Sequence, residues 1–537
     1  MASLPFTTAA TVTPVAGETI ASLIVADRRE HRAARWLLLV LWTATALFLV
    51  SRHVVWRDEV RALSLALEGD SVWAMLRAIH GEGHPALWYL LLRGGHAVTG
   101  MKEVLPAIAF LAAAASAALF TLRAPFRPLV LALVLFSGFA LVDYAVVARN
   151  YGIAMLLMFA VADRHAARSS GLVMGVLLFL LCNTNAIGVL LAGAFMLFWA
   201  IELLLAHGPR WAPAVRQWLI AAVLTGLGVL ACFAVLYPPY NDAASLAAGT
   251  GTALLSPFGL FSIALPLPLL SAGLGETGVG VALFAAVMIG SLAGLARAPA
   301  ALIAAAVLLA VMTVFFHVVY PGMYRHQALF VVFLIAMYWL AAAGRGGAWP
   351  DAAQSRRVTL LDGARRWGGF AFVCLLALQV AIGIALFASS AKGDVFSRSR
   401  DLGRLLAQPS LRDAVVVGNP DVILEPLSYY APNPVYLARE RRWGRVVAFT
   451  KAAMRTSSLA ELLDTARRLR RETGRPVVIV LQKRLVARAP AEDWDQGYIG
   501  RFVTTPEQVR AFLTATRRLA SFAPAITDET YDVYLLR

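Results

Sequence analysis

At 537 residues, with 59% hydrophobic and only 15% charged side chains, the chain is far too apolar for a soluble protein of its length. Its net charge of +16 raises the question of nucleic acid, but the arginines fall in short clusters between apolar runs rather than on one face of a domain, which excludes nucleic acid as the expected partner. Cys182, Cys232 and Cys374 all lie inside apolar runs, so neither a disulfide framework nor a thiolate metal site is expected.

Met1 to Ala26 lacks the basic start of a secretory signal and reads as the larger part of a loose tail over residues 1–35. Apolar segments follow at Trp36–Val50, Val104–Leu122, Leu129–Val147, Tyr151–Ala162, Gly171–Leu181, Ile187–Leu205, Trp218–Leu236, Val279–Leu295, Leu302–Val319, Leu329–Ala343 and Gly369–Leu386. They predict an α-helical polytopic membrane protein with about 11 transmembrane helices over residues 36–390. Arg28, Arg29, Arg32 and Arg35 precede the first span, and Arg123, Arg127, Arg164, Arg168, Arg210, Arg216, Arg297, Arg345, Arg356, Arg357, Arg365 and Arg366 fall on the same side. By the positive-inside rule that side is cytoplasmic.

His84 to Thr99 resembles a further span, but letting it cross would place every later arginine cluster outside. It is therefore laid in the outer interface, within a long external loop, 51–103, that holds short helices at Glu59–Leu67 and Val72–Ile79. An odd number of spans then puts residues 391–537 on the outer side. There β-branched runs at Ala414–Gly418, Pro476–Leu481 and Tyr531–Leu536 alternate with helical patterns at Ala460–Glu472 and Pro506–Leu519, which predicts a small C-terminal α/β soluble domain.

Ionisable residues near membrane depth are costly and tend to be functional. The topology gathers them at the outer helix ends: Asp58, Glu59, Glu82 and His84 from the first external loop, Asp143, Arg149 and Tyr151 around the turn after the third span, and His317, Tyr324, Arg325 and His326 after the ninth. Asp58 and Glu59 suit a general base or a metal ligand, but taken alone they suit a solvated first helical turn better. His84, before Pro85, suits a substrate contact or a plain helix start. Arg149 and Arg325, beside Tyr151 and Tyr324, suit binding of an anion such as phosphate, or snorkelling to lipid headgroups.

The Asp58–Glu59 pair soon after the first span, His84–Pro85 with its apolar aromatic run, and Ala148-Arg149-Asn150-Tyr151 after the third together resemble the GT-C glycosyltransferases of the protein O-mannosyltransferase and aminoarabinose transferase type, particularly bacterial members that decorate lipopolysaccharide. The motif likeness covers roughly Trp36 to Ala162. The resemblance implies an inverting hexosyl- or pentosyltransferase of the bacterial inner membrane that works on the periplasmic side. Its donor would be a polyprenyl-phosphate sugar, its acceptor an envelope glycolipid or protein, with membrane lipids around it. Asp58 would be the base or acceptor-orienting carboxylate with Glu59 assisting, and Arg149 would neutralise the departing phosphate. It also implies, for some members, a divalent metal (Mg, Mn or Zn), for which Asp58, Glu59 and His84 are the candidates.

The residue types suit that chemistry in their own right, since attack on an anomeric carbon needs a proton acceptor and a leaving phosphate needs positive charge. No glycine loop for a nucleotide cofactor is evident. A lipid or glycan transporter or flippase is the alternative, but charges gathered at helix ends and the lack of related halves speak for the enzyme.

Overall fold

The computed structural model describes residues 24–25, 31–245, 278–320, 322–348, 355–486, 488 and 490–537. Most of the tail expected over residues 1–35, with the clustered Arg28 and Arg29, and residues 246–277 lie outside the described residues.

Among the described residues, seven helices are long and apolar enough to cross a membrane: Arg32–Arg52, Val104–Arg123, Ala186–His207, Pro213–Leu236, Pro299–Phe316, Tyr324–Ala342 and Thr359–Lys392. The other four expected spans fall on elements below that length. Helices Tyr151–Ala166, Gly171–Cys182 and Gly278–Ala293 hold 16, 12 and 16 residues. At 1.5 Å per residue they rise only about 18–24 Å over the described residues, so helix length alone does not establish eleven full crossings. The third span is also broken: Pro128–Leu135 is α-helical, and a π turn follows at Phe139–Asp143. Ser137 and Gly138 supply the cause, because the Ser137 hydroxyl donates to the Val134 carbonyl at 2.7 Å and Gly138 leaves room for Ile382 to press in.

Beyond its first turn helix Tyr324–Ala342 is apolar on every side, and it is almost wholly buried, the pattern of a central strut. Tyr151–Ala166 packs against both it and Val104–Arg123. Leu87–Thr99, with 13 residues, packs on Arg57–Ala66 and Val104–Arg123 through Trp88, Tyr89 and Leu92. Its Arg93, expected at the lipid interface, instead donates to the Ala66, Glu68 and Gly69 carbonyls and closes the end of Arg57–Ala66.

Beyond Lys392 comes the tail domain. Its six-stranded sheet has the order β3-β2-β1-β5-β9-β8, from Arg442–Trp443, Val435–Leu437, Val415–Asn419, Val477–Leu481, Tyr531–Leu536 and Thr516–Phe522. β1 runs parallel to β2 and β5, with Val416 opposite Val435 and Val478, and β9 runs antiparallel to β5. Along β1, Val416 faces one core while Val415 and Val417 face another, so both sheet faces are buried. A smaller sheet, β4-β7-β6, is built from Arg455–Ser458, Gly500–Thr504 and Glu492–Asp495. The helix expected over Pro506–Leu519 stops at Ala515, where the Thr516 hydroxyl donates to the Phe512 carbonyl, and the chain then becomes β8 to cover the open edge of β9.

Candidate active site

Asp58 sits in the first turn of helix Arg57–Ala66, which begins because the Glu59 carboxylate accepts the Trp56 N–H at 3.0 Å. The helix buries Val60, Leu63 and Ala66 at helical spacing. Its start therefore holds Asp58 at the loop surface, where the carboxylate is 30% exposed.

Two arginines from different parts of the chain meet that carboxylate. Arg149 Nη1 lies 3.5 Å from Asp58 Oδ2 and donates to the Asp58 carbonyl at 2.8 Å, while Arg325 Nη2 lies 3.2 Å from the same Oδ2. Arg149 rides on the turn between the π segment and Tyr151–Ala166. That turn folds tightly because residue 152 is glycine: a Cβ there would sit 2.6 Å from the Tyr144 carbonyl oxygen. Arg325 stands in the first turn of the central helix, its guanidinium 5.9 Å from the Trp56 ring centroid.

His84 joins the group through Arg149, whose Nη2 donates to His84 Nε2 at 3.0 Å. A guanidinium can only donate, so the ring proton belongs on Nδ1, which is buried with no partner among the described residues. Burial and the adjacent Arg149 push the His84 pKa down to about 3, which keeps the ring neutral. For Asp58 burial acts upward, but Arg149, Arg325 and Arg57 outweigh it and hold the carboxyl below its ordinary range.

The remaining candidates divide. Tyr151 meets His326 at 2.8 Å, and His326 Nδ1 accepts the Met323 N–H at 3.0 Å. The neutral imidazole then carries its proton on Nε2 and donates to the phenol, leaving the Tyr151 hydroxyl hydrogen available to another acceptor. Tyr324 turns instead toward the last long helix, donating to Gln379 Oε1 at 2.7 Å. Asp143 ends the π turn, half-buried. Glu82 binds Arg61 at 2.7 Å and Asn241 at 3.2 Å.

Glu59 is fully buried, accepting from His53 Nε2 at 2.9 Å and from the backbone N–H groups of Trp56 and Ala148. Because Ala148 precedes Arg149, Glu59 acts as a positioning residue for that arginine. Its oxygens are taken, His84 Nε2 faces a guanidinium, and Asp58 is neutralised by cations, so the three do not fit a divalent metal. Among the described residues no group of three or more His, Cys, Asp or Glu side chains is placed to hold one.

The tail domain is tied to this loop by bonds between positions far apart in sequence. Arg57 donates to Asp528 Oδ1 at 2.7 Å and its backbone N–H to Glu529 at 2.9 Å, while Arg61 bridges Glu82 and Glu425, the latter at 2.5 Å. Tyr430 and Ser399 donate to the Val55 carbonyl at 3.0 and 3.1 Å, and Arg400 to the His53 carbonyl at 2.6 Å. Between this loop and the tail lies a cleft of about 610 Å³, lined by Leu63, Glu82, Lys102, Tyr240, Trp443 and Arg445 among others. Arg439, six residues before Arg445, is buried against Asp421 at 3.3 Å.

No family model matches the sequence, and no curated protein does. Among solved structures the chain is similar to ArnT from Cupriavidus metallidurans bound to undecaprenyl phosphate, at 14% identity over 95% of this chain and 98% of that one, with a TM-score of 0.47. It is similar to the same protein in the apo state at 14% identity over 94% and 98%, with a TM-score of 0.40. That likeness is one of outline, and leaves the site to be read from its own residues.

Proposed function

We propose that the chain is a membrane glycosyltransferase of the GT-C class, moving a sugar from a polyprenyl-phosphate carrier to a hydroxyl of an envelope acceptor, glycolipid or protein. The reaction would take place on the periplasmic face of a bacterial inner membrane, with lipopolysaccharide among the acceptors. One observation carries this reading: Arg149 and Arg325, 11% and 14% exposed, share a single carboxylate, that of Asp58. Among the described residues neither makes an ion pair with a second acid, and Asp143 acts on Arg325 only from beyond ion-pair distance, so a largely desolvated corner at the ends of apolar helices is rich in positive charge. A lipid-borne phosphate has the sign, the acceptor geometry and the membrane location to fill it.

In this reaction the acceptor hydroxyl passes its proton to Asp58 while its oxygen bonds to the anomeric carbon. The bond from that carbon to the phosphate oxygen breaks, and the electron pair leaves with the polyprenyl phosphate, whose new charge faces Arg149 and Arg325. A single displacement of this kind inverts the anomeric configuration, for a hexose or a pentose alike. Asp58 starts as a weak base because its arginines hold the proton off. Incoming phosphate draws those guanidiniums toward itself, and the carboxylate gains proton affinity when the acceptor is in place. The free phenol hydrogen of Tyr151 suits a further phosphate oxygen. The cleft beside Leu63, Trp443 and Arg445 lies along later turns of the Asp58 helix and has the size and mixed polarity of an acceptor site. No step is routed through a metal.

The test is transfer by purified protein from a synthetic polyprenyl-phosphate sugar, with envelope extract as acceptor and mass spectrometry of the product. Product from the native chain and none from an Arg149→Ala/Arg325→Ala variant is expected. A doubly substituted protein that transfers at the native rate removes the phosphate reading.

A further inference from the structure

We propose that the membrane face opposite the tail domain carries a second anion site, which takes the phosphate headgroup of an anionic membrane lipid and is independent of the chemistry at Asp58. The central helix starts beside Asp58 and runs through 19 residues, apolar beyond its first turn, a rise of about 28 Å, so the link after it lies at the other membrane face. There a cavity of about 530 Å³ is walled by that link, by the Gly294–Ala298 link and by the early turns of the last long helix. Its polar lining includes Arg297, Arg345, Arg365 and Arg366 against one carboxylate, Asp362.

Two of the four guanidiniums are already matched. Arg297 pairs with Asp362 at 2.5 Å, and Arg345 with the buried Glu202 at 3.1 Å, whose other oxygen accepts the Gly346 N–H at 3.1 Å. Arg365 and Arg366 make no ion pair among the described residues and are exposed. The Nε of Arg345 is buried without a partner, a further unused donor in the wall. Gly294 and Gly368 bring these groups together: a methyl at Gly368 would strike the backbone of Gly294, so only this pair lets the two helices close and set Arg365 and Arg366 beside Arg297.

Snorkelling arginines that merely mark topology would stand singly on a lipid-facing surface; here two unmatched cations open onto a walled cavity of headgroup size. Trp367, 76% exposed and adjacent in sequence to Arg366, and Phe370, 53% exposed, lie on the same helix and give acyl chains an apolar flank at interface depth. A basic pocket between spanning helices is the arrangement that holds anionic headgroups.

Delipidated full-length protein in detergent would be titrated with phosphatidylglycerol, phosphatidylcholine and inorganic phosphate, and the first bound ligand quantified by native mass spectrometry. Saturable binding of phosphatidylglycerol is expected, weakened about thirtyfold in R365Q/R366Q if each basic residue near the headgroup contributes its usual share. Should that variant fail to fold, R366Q alone is expected to weaken binding about fivefold. Equal binding of phosphatidylcholine, or phosphatidylglycerol binding unchanged in the variants, overturns the proposal. Inorganic phosphate that competes at equal concentration overturns its lipid source. Since neither arginine touches the Asp58 group, sugar transfer is not the readout, and failure here leaves the proposed reaction untouched.

Discussion

Asp58→Asn separates the two roles that the proposed reaction gives the carboxylate, base and internal counter-ion. A phosphate bridging Arg149 and Arg325 would stand about 4–5 Å from the Asp58 oxygens, where two unit charges at an effective dielectric near 20 repel by roughly 3–4 kcal/mol. The carboxylate is 30% exposed, and solvent screening cuts that to about 1.5 kcal/mol, close to tenfold in affinity. Removing the charge should therefore tighten binding of polyprenyl phosphate about tenfold, while loss of the base lowers turnover by about 10² to 10⁴. The measurements are the Kd for a short-chain polyprenyl phosphate by calorimetry and kcat with a saturating donor. Weaker phosphate binding in the asparagine variant would refute competition for the same guanidiniums, and unchanged kcat would remove Asp58 as base.

Glu59→Gln should destabilise the protein by about 3 kcal/mol, because an amide cannot accept from His53 and both backbone N–H groups together; a thermal unfolding midpoint equal to the native one would show the carboxylate is not structural. Burial pushes Glu529 up to about 8, above its unfolded range near 4.5. The folded chain therefore holds that proton more tightly, and stability present at pH 5 should decline as pH rises toward 8. Fluorimetric unfolding from pH 5 to 9 should show this slope, and Glu529→Gln should flatten it; an equal slope in both proteins rejects the assignment. Trp443→Ala together with Arg445→Ala should raise the acceptor KM about tenfold with kcat nearly unchanged, as loss of uniform binding does, and an unaltered KM would place the acceptor elsewhere.

Much of this architecture is written in composition and spacing, and the exceptions have local causes. Long apolar runs such as Trp36–Val50 can be read because lipid rewards any helix of that length, and Val415–Val417 and Val477–Val480 because a strand buried on both faces is continuously apolar. Nothing in hydropathy marks the break at Ser137–Gly138, where one hydroxyl bond and one missing side chain decide. Likewise Thr516–Phe522 continues a helical pattern, and only the distant β9 makes it a strand. In the site, Asp58, His84, Arg149 and Arg325 stand out as charges at helix ends. The ties from Arg57 to Asp528 and from Arg61 to Glu425 span 471 and 364 residues, and no local signal pairs such arginines with such acids.

Those ties bear on the chemistry because of where one helical turn points its side chains. At about 100° per residue, Arg57 and Arg61 share a face, Asp58 projects a quarter-turn or so around from it, and Glu59 projects toward the far side. The contacts follow that order: Arg57 and Arg61 go to the tail domain, Asp58 to Arg149 and Arg325, and Glu59 to His53 and the Ala148 backbone. Rotation of the helix would move all three sets together, so the tail's grip on Arg57 and Arg61 and Glu59's grip on Ala148 fix the same angle from opposite sides. Asp58 needs that fixed angle, since a carboxylate shared by two guanidiniums has little tolerance for displacement. In the proposed reaction the tail would thereby set the base without touching it, and so take part without a residue at the reacting atoms.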